Sequence, residues 1–292
     1  MYSIVSDTSA NIDVNVLKER DIRIIPFTYY LNGRECTCTD TTAFDGGSFY
    51  EAMRGGTKVT TSQITPQKYI DCFRPILEKG RDILFVSMSS GISGSYSSAM
   101  MAAAELKEEF PDRVISLIDT IGASLGEGLL ALRAADLRDA GVTIEKAAEK
   151  LKDLRHKMCN IFTVDDLKYL RNTGRLSRTS TTVGTVLNIK PLLKGDGEGK
   201  IVCFQRSRGR KKAIAEIAAY YDRYVRDAGS QTVGIAHADC EEDAKCLAEL
   251  IKRNNPPKDI MTVMYEPVTG SHVGPGALAF FFTGDEKFRD DN

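Results

Sequence analysis

The sequence lacks the features that mark several classes of protein. Its formal net charge is -1 over 292 residues, so no basic excess is present for binding DNA or RNA. No run of about 18 apolar residues could span a bilayer, and the first residues, MYSIVSDTS, lack the basic and apolar regions of a signal peptide. We therefore expect a protein that binds no nucleic acid, does not span a membrane and resides in the cytoplasm.

Side chains that ligate metals or exchange protons are also scarce. The chain has three histidines and seven cysteines, with no CxxC pair and no histidine near a cysteine at the spacing of a zinc site. We expect the cysteines to be reduced thiols that mostly pack, because an odd number in a cytoplasmic protein does not indicate a disulfide framework. The sequence predicts neither a metal nor a cofactor.

What the chain does contain is an alternation of strand and helix signals. Ile83 to Met88 is a nearly continuous apolar run typical of a buried parallel strand, and Ser97 to Phe110 is rich in good helix formers. This alternation predicts an α/β fold with a parallel sheet and helices on both of its faces. Pro26 lies inside the strand signal Ile22 to Leu31, which predicts an edge position or a break.

The length allows two domains, and the composition changes after His156, where basic and hydroxyl-rich segments follow. We predict an N-terminal α/β domain at 1-158 and a smaller α/β domain at 159-292. The last strands are free in this prediction to pack back near the N-terminal lobe.

The most informative stretch is SSGISGSYS, which joins the buried strand to the helix that follows. Gly91 and Gly94 would let the backbone turn tightly, and several serine hydroxyls stand beside the unpaired amides of a helix N-terminus. Those amides and the helix dipole favour an anion such as a carboxylate or phosphate. The alternative is that the serines only cap the helix.

Other polar groups stand at strand ends and in loops. Asp7 follows the first strand, where it could contact a ligand or cap a helix. The hydroxyl triplet 60-62 and the basic run 206-212 could be site residues or ordinary solvated positions. His237 at a strand end reads as structural. His272 precedes Gly274-Pro275-Gly276, and a histidine on a glycine-rich loop favours a role in a site.

Seven ordered blocks carry a resemblance to a known family. They are SDTSAN, TTSQITP, SSGISGSYSSA, DLKYLRNTGRLS, LNIKP, RSRGRKKA and SHVGPGALAFFF. In this order and at these intervals the chain resembles the DegV family over essentially its whole length. The resemblance implies a two-domain α/β protein with one long-chain fatty acid in an apolar tunnel between the lobes.

The characterised members of that family are the fatty-acid-binding subunits of bacterial fatty acid kinase. The resemblance therefore implies a non-catalytic subunit that presents the carboxyl group to a separate ATP-dependent kinase subunit. The acyl phosphate formed would then enter phospholipid synthesis, and transient contact with a membrane is left open. Acyl chain length, unsaturation and oligomeric state do not follow from the sequence.

The resemblance also carries functional residues onto this sequence. It implies that the carboxylate is held by Thr61 with Ser62 beside it, by the turn at Ser93 and Gly94, and by His272. Arg208 falls on the position implicated in working with the kinase, although Arg206 and Arg210 crowd the same few residues. One departure is Thr173-Gly174, where many relatives have a double glycine.

The residue chemistry is consistent with a carrier. A buried carboxylate needs several donors at once, which hydroxyls, amides and an imidazole can supply. Each buried methylene contributes about 0.8 kcal/mol, so an apolar sleeve would dominate the affinity. Candidate liners are the helix Gly122 to Leu137 and the strand Ala277 to Phe282, and their alternative role is plain core.

Two other functions compete with this one. GISGS resembles the nucleophile elbow GxSxG of a serine hydrolase, with Ser93 as nucleophile, His272 as base and Asp119 or Asp239 as the orienting acid, but Ser95 replaces the last glycine. The other is a regulatory module that senses a phosphorylated metabolite through Asp7 and the Arg208 patch.

Overall fold

The computed structural model describes residues 2-177 and 188-290. The chain forms two compact units, and each is interrupted in sequence. The first unit is Met1–Phe44 with Val59–Arg155, and the second is Asp45–Lys58 with His156–Asn292. The short segment Asp45–Lys58 thus groups with the second unit, whereas the sequence placed it in the N-terminal domain. Leu187, the first residue of the LNIKP block, lies outside the described residues.

The first unit contains seven described strands. These are β1 (Tyr2–Asp7), β2 (Ile22–Ile25), β3 (Thr28–Leu31), β4 (Arg34–Thr37), β5 (Val59–Ser62), β6 (Asp82–Ser87) and β7 (Ile115–Asp119). Four of them form a parallel sheet in the order β2-β1-β6-β7. The other three form a small antiparallel sheet in the order β4-β3-β5. The predicted parallel sheet is confirmed.

Helices surround the strands of the parallel sheet. The helices of this part of the chain are α1 (Val14–Glu19), α2 (Gly46–Arg54), α3 (Pro66–Leu77), α4 (Ser95–Glu109), α5 (Leu125–Asp139) and α6 (Ile144–Lys157), of which α2 groups with the second unit. All six residues of β1 are buried. Because successive strand residues point to opposite faces, both faces of the sheet are covered at β1.

Pro26 separates two strands of different sheets. β2 ends at Ile25 and β3 begins at Thr28, and β2 is the edge strand of the parallel sheet. The predicted break and the predicted edge position are both confirmed, since proline has no amide proton to donate to a ladder.

The second unit is built on a mixed sheet of six strands. They are β8 (Met158–Thr163), β9 (Ile189–Gly195), β10 (Ile201–Arg208), β11 (Thr232–His237), β12 (Asp259–Met264) and β13 (Leu278–Thr283). The order is β10-β9-β8-β13-β11-β12, with β13 antiparallel to both of its neighbours. The last strand therefore lies inside this sheet. The sequence had predicted a smaller second lobe, but this unit contains the larger sheet.

The helices of the second unit pack on the aromatic core of its sheet. Besides α2 they are α7 (Lys168–Asn172), α8 (Arg210–Tyr224), α9 (Glu241–Asn254), α10 (Pro267–Val273) and α11 (Lys287–Asp290). Tyr221 of α8 meets Phe280 and Phe282 of β13 edge to face, with ring centroids 5.2 and 5.1 Å apart. These contacts pack α8 against β13.

Candidate functional site

The turn Ser89–Gly94 connects β6 to α4 in the first unit. Ser93 Oγ donates to Ser95 Oγ at 3.0 Å, and Ser95 N donates to Ser93 Oγ at 3.2 Å. Gly94 occupies the N-cap position of α4, so no side chain caps the helix from there. The 15 residues of α4 therefore begin with a helix N-terminus whose N-cap residue has no side chain and whose first amide donates to Ser93 Oγ.

The glycines of this turn do not serve the purpose that the sequence suggested. Gly94 has φ -75° and ψ -2°, and Gly91 is not among the residues with positive φ. A Cβ at Gly94 would instead collide with the side-chain amide of Gln63. The Gln63 side chain therefore lies against Gly94, and the turn does not require a left-handed conformation at this residue.

The segment that approaches Gly94 is the one that follows Thr61 and Ser62. Ile64 N donates to Ser95 Oγ at 3.1 Å, and Gln63 Nε2 donates to Ser98 Oγ at 3.4 Å. The structure thus brings the TTSQI segment and the SSGISG turn together within the first unit. Sequence reasoning missed Gln63 and Ile64, since an amide side chain and a backbone amide form no recognisable motif.

Thr61 and Ser62 are consecutive residues of β5, so their side chains point to opposite faces of the small sheet. Thr61 lies opposite Tyr29 of β3 in the ladder, and Ser62 lies opposite Thr28. Only one of the two hydroxyls can face a given ligand directly. That Thr61 is the one that does so stays a prediction.

Three attachments hold the turn in place. Asp119, at the end of β7, accepts from Ser90 N at 3.2 Å and from Ser90 Oγ at 2.5 Å. Ser89 N donates to Gly122 O at 2.8 Å. At the end of β6, Met88 N donates to Asp7 Oδ2 at 3.4 Å. The turn is therefore held from β7, from the loop before α5, and from β1.

The loop that receives Ser89 is strained. Ile121 has φ 49° and Ser124 has φ 54° with ψ -141°. Residues other than glycine rarely adopt such backbone angles. Both residues are buried, and Ser124 Oγ forms no hydrogen bond with the described residues. Such strain is commonly found where a loop positions a functional segment.

Asp7 is buried in the first unit and does not face a ligand from solvent. Its side chain is 0% exposed and accepts from Ser9 N at 2.9 Å, which caps the short 3-10 turn Thr8–Ala10. The first α-helix, α1, begins at Val14 and is capped by Asp13 instead. The proposal that Asp7 contacts a phosphorylated metabolite is therefore wrong.

His272 lies in the second unit, on α10 and not on a loop. Glu266 caps this helix by accepting from Val268 N and Thr269 N, both at 2.6 Å, and Gly274 ends it with φ 81°. Burial, followed by the nearby Arg175 guanidinium, lowers the pKa of His272 to about 4. His272 is therefore neutral at physiological pH and can donate from one ring nitrogen.

His237 ends β11, as the sequence expected, and has a structural contact. Its Nδ1 accepts from Cys240 N at 3.3 Å where the chain enters α9. Burial lowers its pKa, so this imidazole is also kept in its neutral form. The structural role that the sequence favoured for His237 agrees with this contact.

The basic run 206-212 separates into residues with different roles. Arg210 Nε donates to Asp243 Oδ2 at 2.8 Å and is partly buried, so it is part of the second unit's structure. Arg208 is exposed at the end of β10 and forms no ion pair with any described residue. Of these two arginines, Arg208 is the one available to an incoming partner.

The two acids suggested for a hydrolase have other partners. Asp119 is bound to Ser90, as described above, and also accepts from Ile121 N at 3.0 Å. Asp239 Oδ2 forms an ion pair with Arg54 at 2.5 Å in the second unit. Neither contact orients an imidazole, so the structure offers no support for a serine–histidine–acid triad.

Comparison with known proteins identifies the family. A family model described as "Uncharacterised protein, DegV family" matches residues 1–285. A DegV domain-containing protein of Clostridium perfringens is 34% identical over 286 residues, which cover 98% of this chain and 98% of that protein. The chain belongs to the DegV family.

Solved DegV structures share the whole fold. A DegV family protein from Thermus thermophilus, solved to show fatty acid binding, has a TM-score of 0.88 and 27% identity, covering 97% of this chain and 99% of its own. A DegV family protein from Ruminococcus gnavus, refined with vaccenic acid, has a TM-score of 0.87 and 25% identity, covering 96% of this chain and 99% of its own. The predicted family and α/β fold are confirmed.

Two further findings concern this DegV protein directly. Within residues 2-177 and 188-290, no helix is both long and apolar enough to cross a bilayer. In the same ranges, no three histidine, cysteine, aspartate or glutamate side chains gather as a metal site.

Proposed function

We propose that this DegV protein binds one long-chain fatty acid and presents its carboxyl group to a separate ATP-dependent kinase subunit. The observation that carries the proposal is the N-terminus of α4, where the N-cap residue Gly94 has no side chain and the Ser93 hydroxyl lies beside the first residue, Ser95, in a family whose solved members bind fatty acids. An anion placed there receives backbone amides, a hydroxyl and the positive end of the helix dipole.

The proposed carboxylate site consists of Thr61, whose hydroxyl would face the ligand, its neighbour Ser62, and Ser93, Gly94 and His272. Within the first unit, the contacts of Ile64 and Gln63 with α4 support the meeting of β5 and the turn. His272 would add one donor without a positive charge, because its pKa is lowered to about 4 in the ligand-free protein. None of these groups is a strong base, so the site is suited to holding a carboxylate and not to hydrolysing an ester.

An apolar sleeve for the acyl chain would supply most of the affinity. Sixteen methylenes at about 0.8 kcal/mol each would contribute on the order of 10 kcal/mol before ordering costs. Vaccenic acid in the relative from Ruminococcus gnavus supports a long-chain fatty acid as the proposed ligand. For this chain, α5 and β13 stay the proposed liners.

Arg208 is proposed to act with the kinase. It is exposed and free of ion pairs among the described residues, and a guanidinium binds phosphate or carboxylate groups in a bidentate manner. In that role it would meet either the transferred phosphoryl group or an acidic surface of the kinase subunit. The protein itself would perform no catalytic step.

The carboxylate site can be tested with paired variants. Ser93→Ala and Thr61→Ala each remove one hydroxyl from the proposed site, and a hydrogen bond to a charged ligand is worth about 1.5–3 kcal/mol. We expect oleate to bind roughly tenfold to a hundredfold more weakly in each, by isothermal titration calorimetry. Ser97→Ala and Thr60→Ala are exposed neighbours and serve as controls. Unchanged affinity in both site variants would refute the assignment.

A further inference from the structure

Two carboxyl groups from distant parts of the chain meet in the interior of the first unit. Asp7 ends β1 and Glu127 lies in the first turn of α5, and both side chains are 0% exposed. Ser9 bridges them. Ser9 Oγ is 2.5 Å from Asp7 Oδ1 and 2.6 Å from Glu127 Oε2.

The hydrogen bonds around the pair need more protons than are present when both acids are ionised. Ser9 has one hydroxyl proton but two carboxyl oxygens within bonding distance. Ser6 also has one, and its Oγ lies 2.8 Å from Val86 O and 2.9 Å from Glu127 Oε1. With both acids ionised, lone pairs would face each other at these distances.

One proton on Glu127 resolves the conflict at Ser9. Donated from Glu127 Oε2 to Ser9 Oγ, it frees the Ser9 proton for Asp7 Oδ1 and leaves Ser6 to donate between Val86 O and Glu127 Oε1. Asp7 is then the anion of the pair. It also accepts from Ser9 N and Met88 N, which stabilise its ionised form.

The surroundings favour a retained proton. No cation among the described residues forms an ion pair or hydrogen bond with either acid. The groups that face the pair are the Ser6 and Ser9 hydroxyls, the Met88 amide of β6, and Tyr69 of α3, which is itself buried. Burial, followed by the charge of Asp7, raises the pKa of Glu127 well above its ordinary value. The positive end of α5 opposes this rise but does not offset complete burial beside a second acid.

We propose that Asp7 and Glu127 form a pair that shares one proton and positions the Ser89–Gly94 turn. Carboxylate binding at Ser93 weakens when this shared-proton pair loses its proton. The connection is Asp7 Oδ2, which accepts from Met88 N directly before the turn. Loss of the proton would place a second buried negative charge behind the turn and disrupt the Ser9 bridge. The inference rests on the proposed carboxylate site.

The test compares the pH dependence of oleate binding in the wild-type protein and in Glu127→Gln. Glutamine has the shape of the protonated acid but cannot ionise. We expect the wild-type dissociation constant to rise as the pH is raised through loss of the proton from the pair, by up to about tenfold per pH unit. The constant for Glu127→Gln should change less than about twofold.

Two further variants complete the test, one as a control and one as a replacement for Glu127→Gln. Glu145→Gln removes an exposed carboxyl of α6 and should follow the wild-type profile. Any titration of oleate itself appears equally in all of these proteins. If Glu127→Gln does not fold, Asp7→Asn removes the charge that opposes ionisation of Glu127, so the dissociation constant should begin to rise at lower pH than in the wild type. A flat wild-type profile, or a Glu127→Gln profile parallel to it, would overturn the proposal.

Infrared spectroscopy of the ligand-free protein separates the two proposals. A band of a protonated carboxylic acid at neutral pH should be present in the wild type and absent in Glu127→Gln. If the band is present but oleate does not bind at any pH, the proposed function fails while the proton on the pair stands. If oleate binds but the band is absent, the shared-proton pair fails and the carrier function stands.

Discussion

Replacing Ser124 by glycine should stabilise the protein, because Ser124 combines two unfavourable features. Its φ of 54° and ψ of -141° lie in a region that is essentially restricted to glycine, at a cost of about 1–3 kcal/mol. Its buried Oγ forms no hydrogen bond with the described residues, at a further cost of about 1 kcal/mol. Glycine removes both, and its extra freedom in the unfolded chain takes back about 0.5–1 kcal/mol. We expect a net gain of about 2 kcal/mol.

Urea unfolding of three proteins would measure this gain. Ser124→Gly should raise the midpoint without changing the slope, which would show that stability and not the surface exposed on unfolding has changed. Ser124→Ala removes the hydroxyl but keeps the strained backbone, so it should gain about 1 kcal/mol or less. A midpoint for Ser124→Gly at or below that of Ser124→Ala would refute the argument from strain.

Three other predictions follow from particular contacts. Gly128→Ala should destabilise the protein by about 1–3 kcal/mol in urea unfolding, because the new Cβ would collide with the Ala10 carbonyl, whereas Gly229→Ala has open space and should change little. Because the pKa of His272 is lowered in the folded protein, the unfolded chain binds a proton at this residue first as the pH falls. The free energy of unfolding should therefore decrease by up to about 3 kcal/mol between about pH 6.5 and pH 4. His272→Gln should remove this part of the acid dependence. Arg208→Ala should leave oleate affinity unchanged but slow phosphorylation of bound fatty acid by a fatty acid kinase subunit at least about tenfold; equal slowing in the exposed control Lys211→Ala would argue against a specific role.

Local signals in the sequence were sufficient for most of the fold. Pro26 marked the break between β2 and β3, because its effect on a ladder is set by its own ring. The change from an apolar run to a helix-forming segment located the turn that carries Ser93. These features depend on residues that are neighbours in the chain.

The helix that carries His272 shows how local signals can conflict. Glu266 is the N-cap of α10, Pro267 is its first residue and Gly274 is its C-cap. Gly270 in the middle of a seven-residue segment nevertheless favours a loop. The structure explains this glycine, since a Cβ there would collide with the Tyr50 hydroxyl, which donates to Tyr265 O at 2.8 Å.

Contacts between distant residues could not be predicted. Asp7 and Glu127 are 120 positions apart, and nothing in either sequence context indicates that they share Ser9. The same holds for Asp45–Lys58, which groups with the second unit. The roles of Arg208 and Arg210 were also indistinguishable until Asp243 was seen to pair with Arg210.

The central claim is that this DegV protein carries a fatty acid whose carboxylate is held at Ser93. Mass spectrometry of lipid extracted from denatured protein, purified from its native host without added detergent, tests it most directly. We expect about one fatty acid per wild-type chain and a much smaller amount in Ser93→Ala, with Ser97→Ala like the wild type. A wild-type protein that yields no fatty acid, or a Ser93→Ala variant that retains a full complement, would contradict the claim.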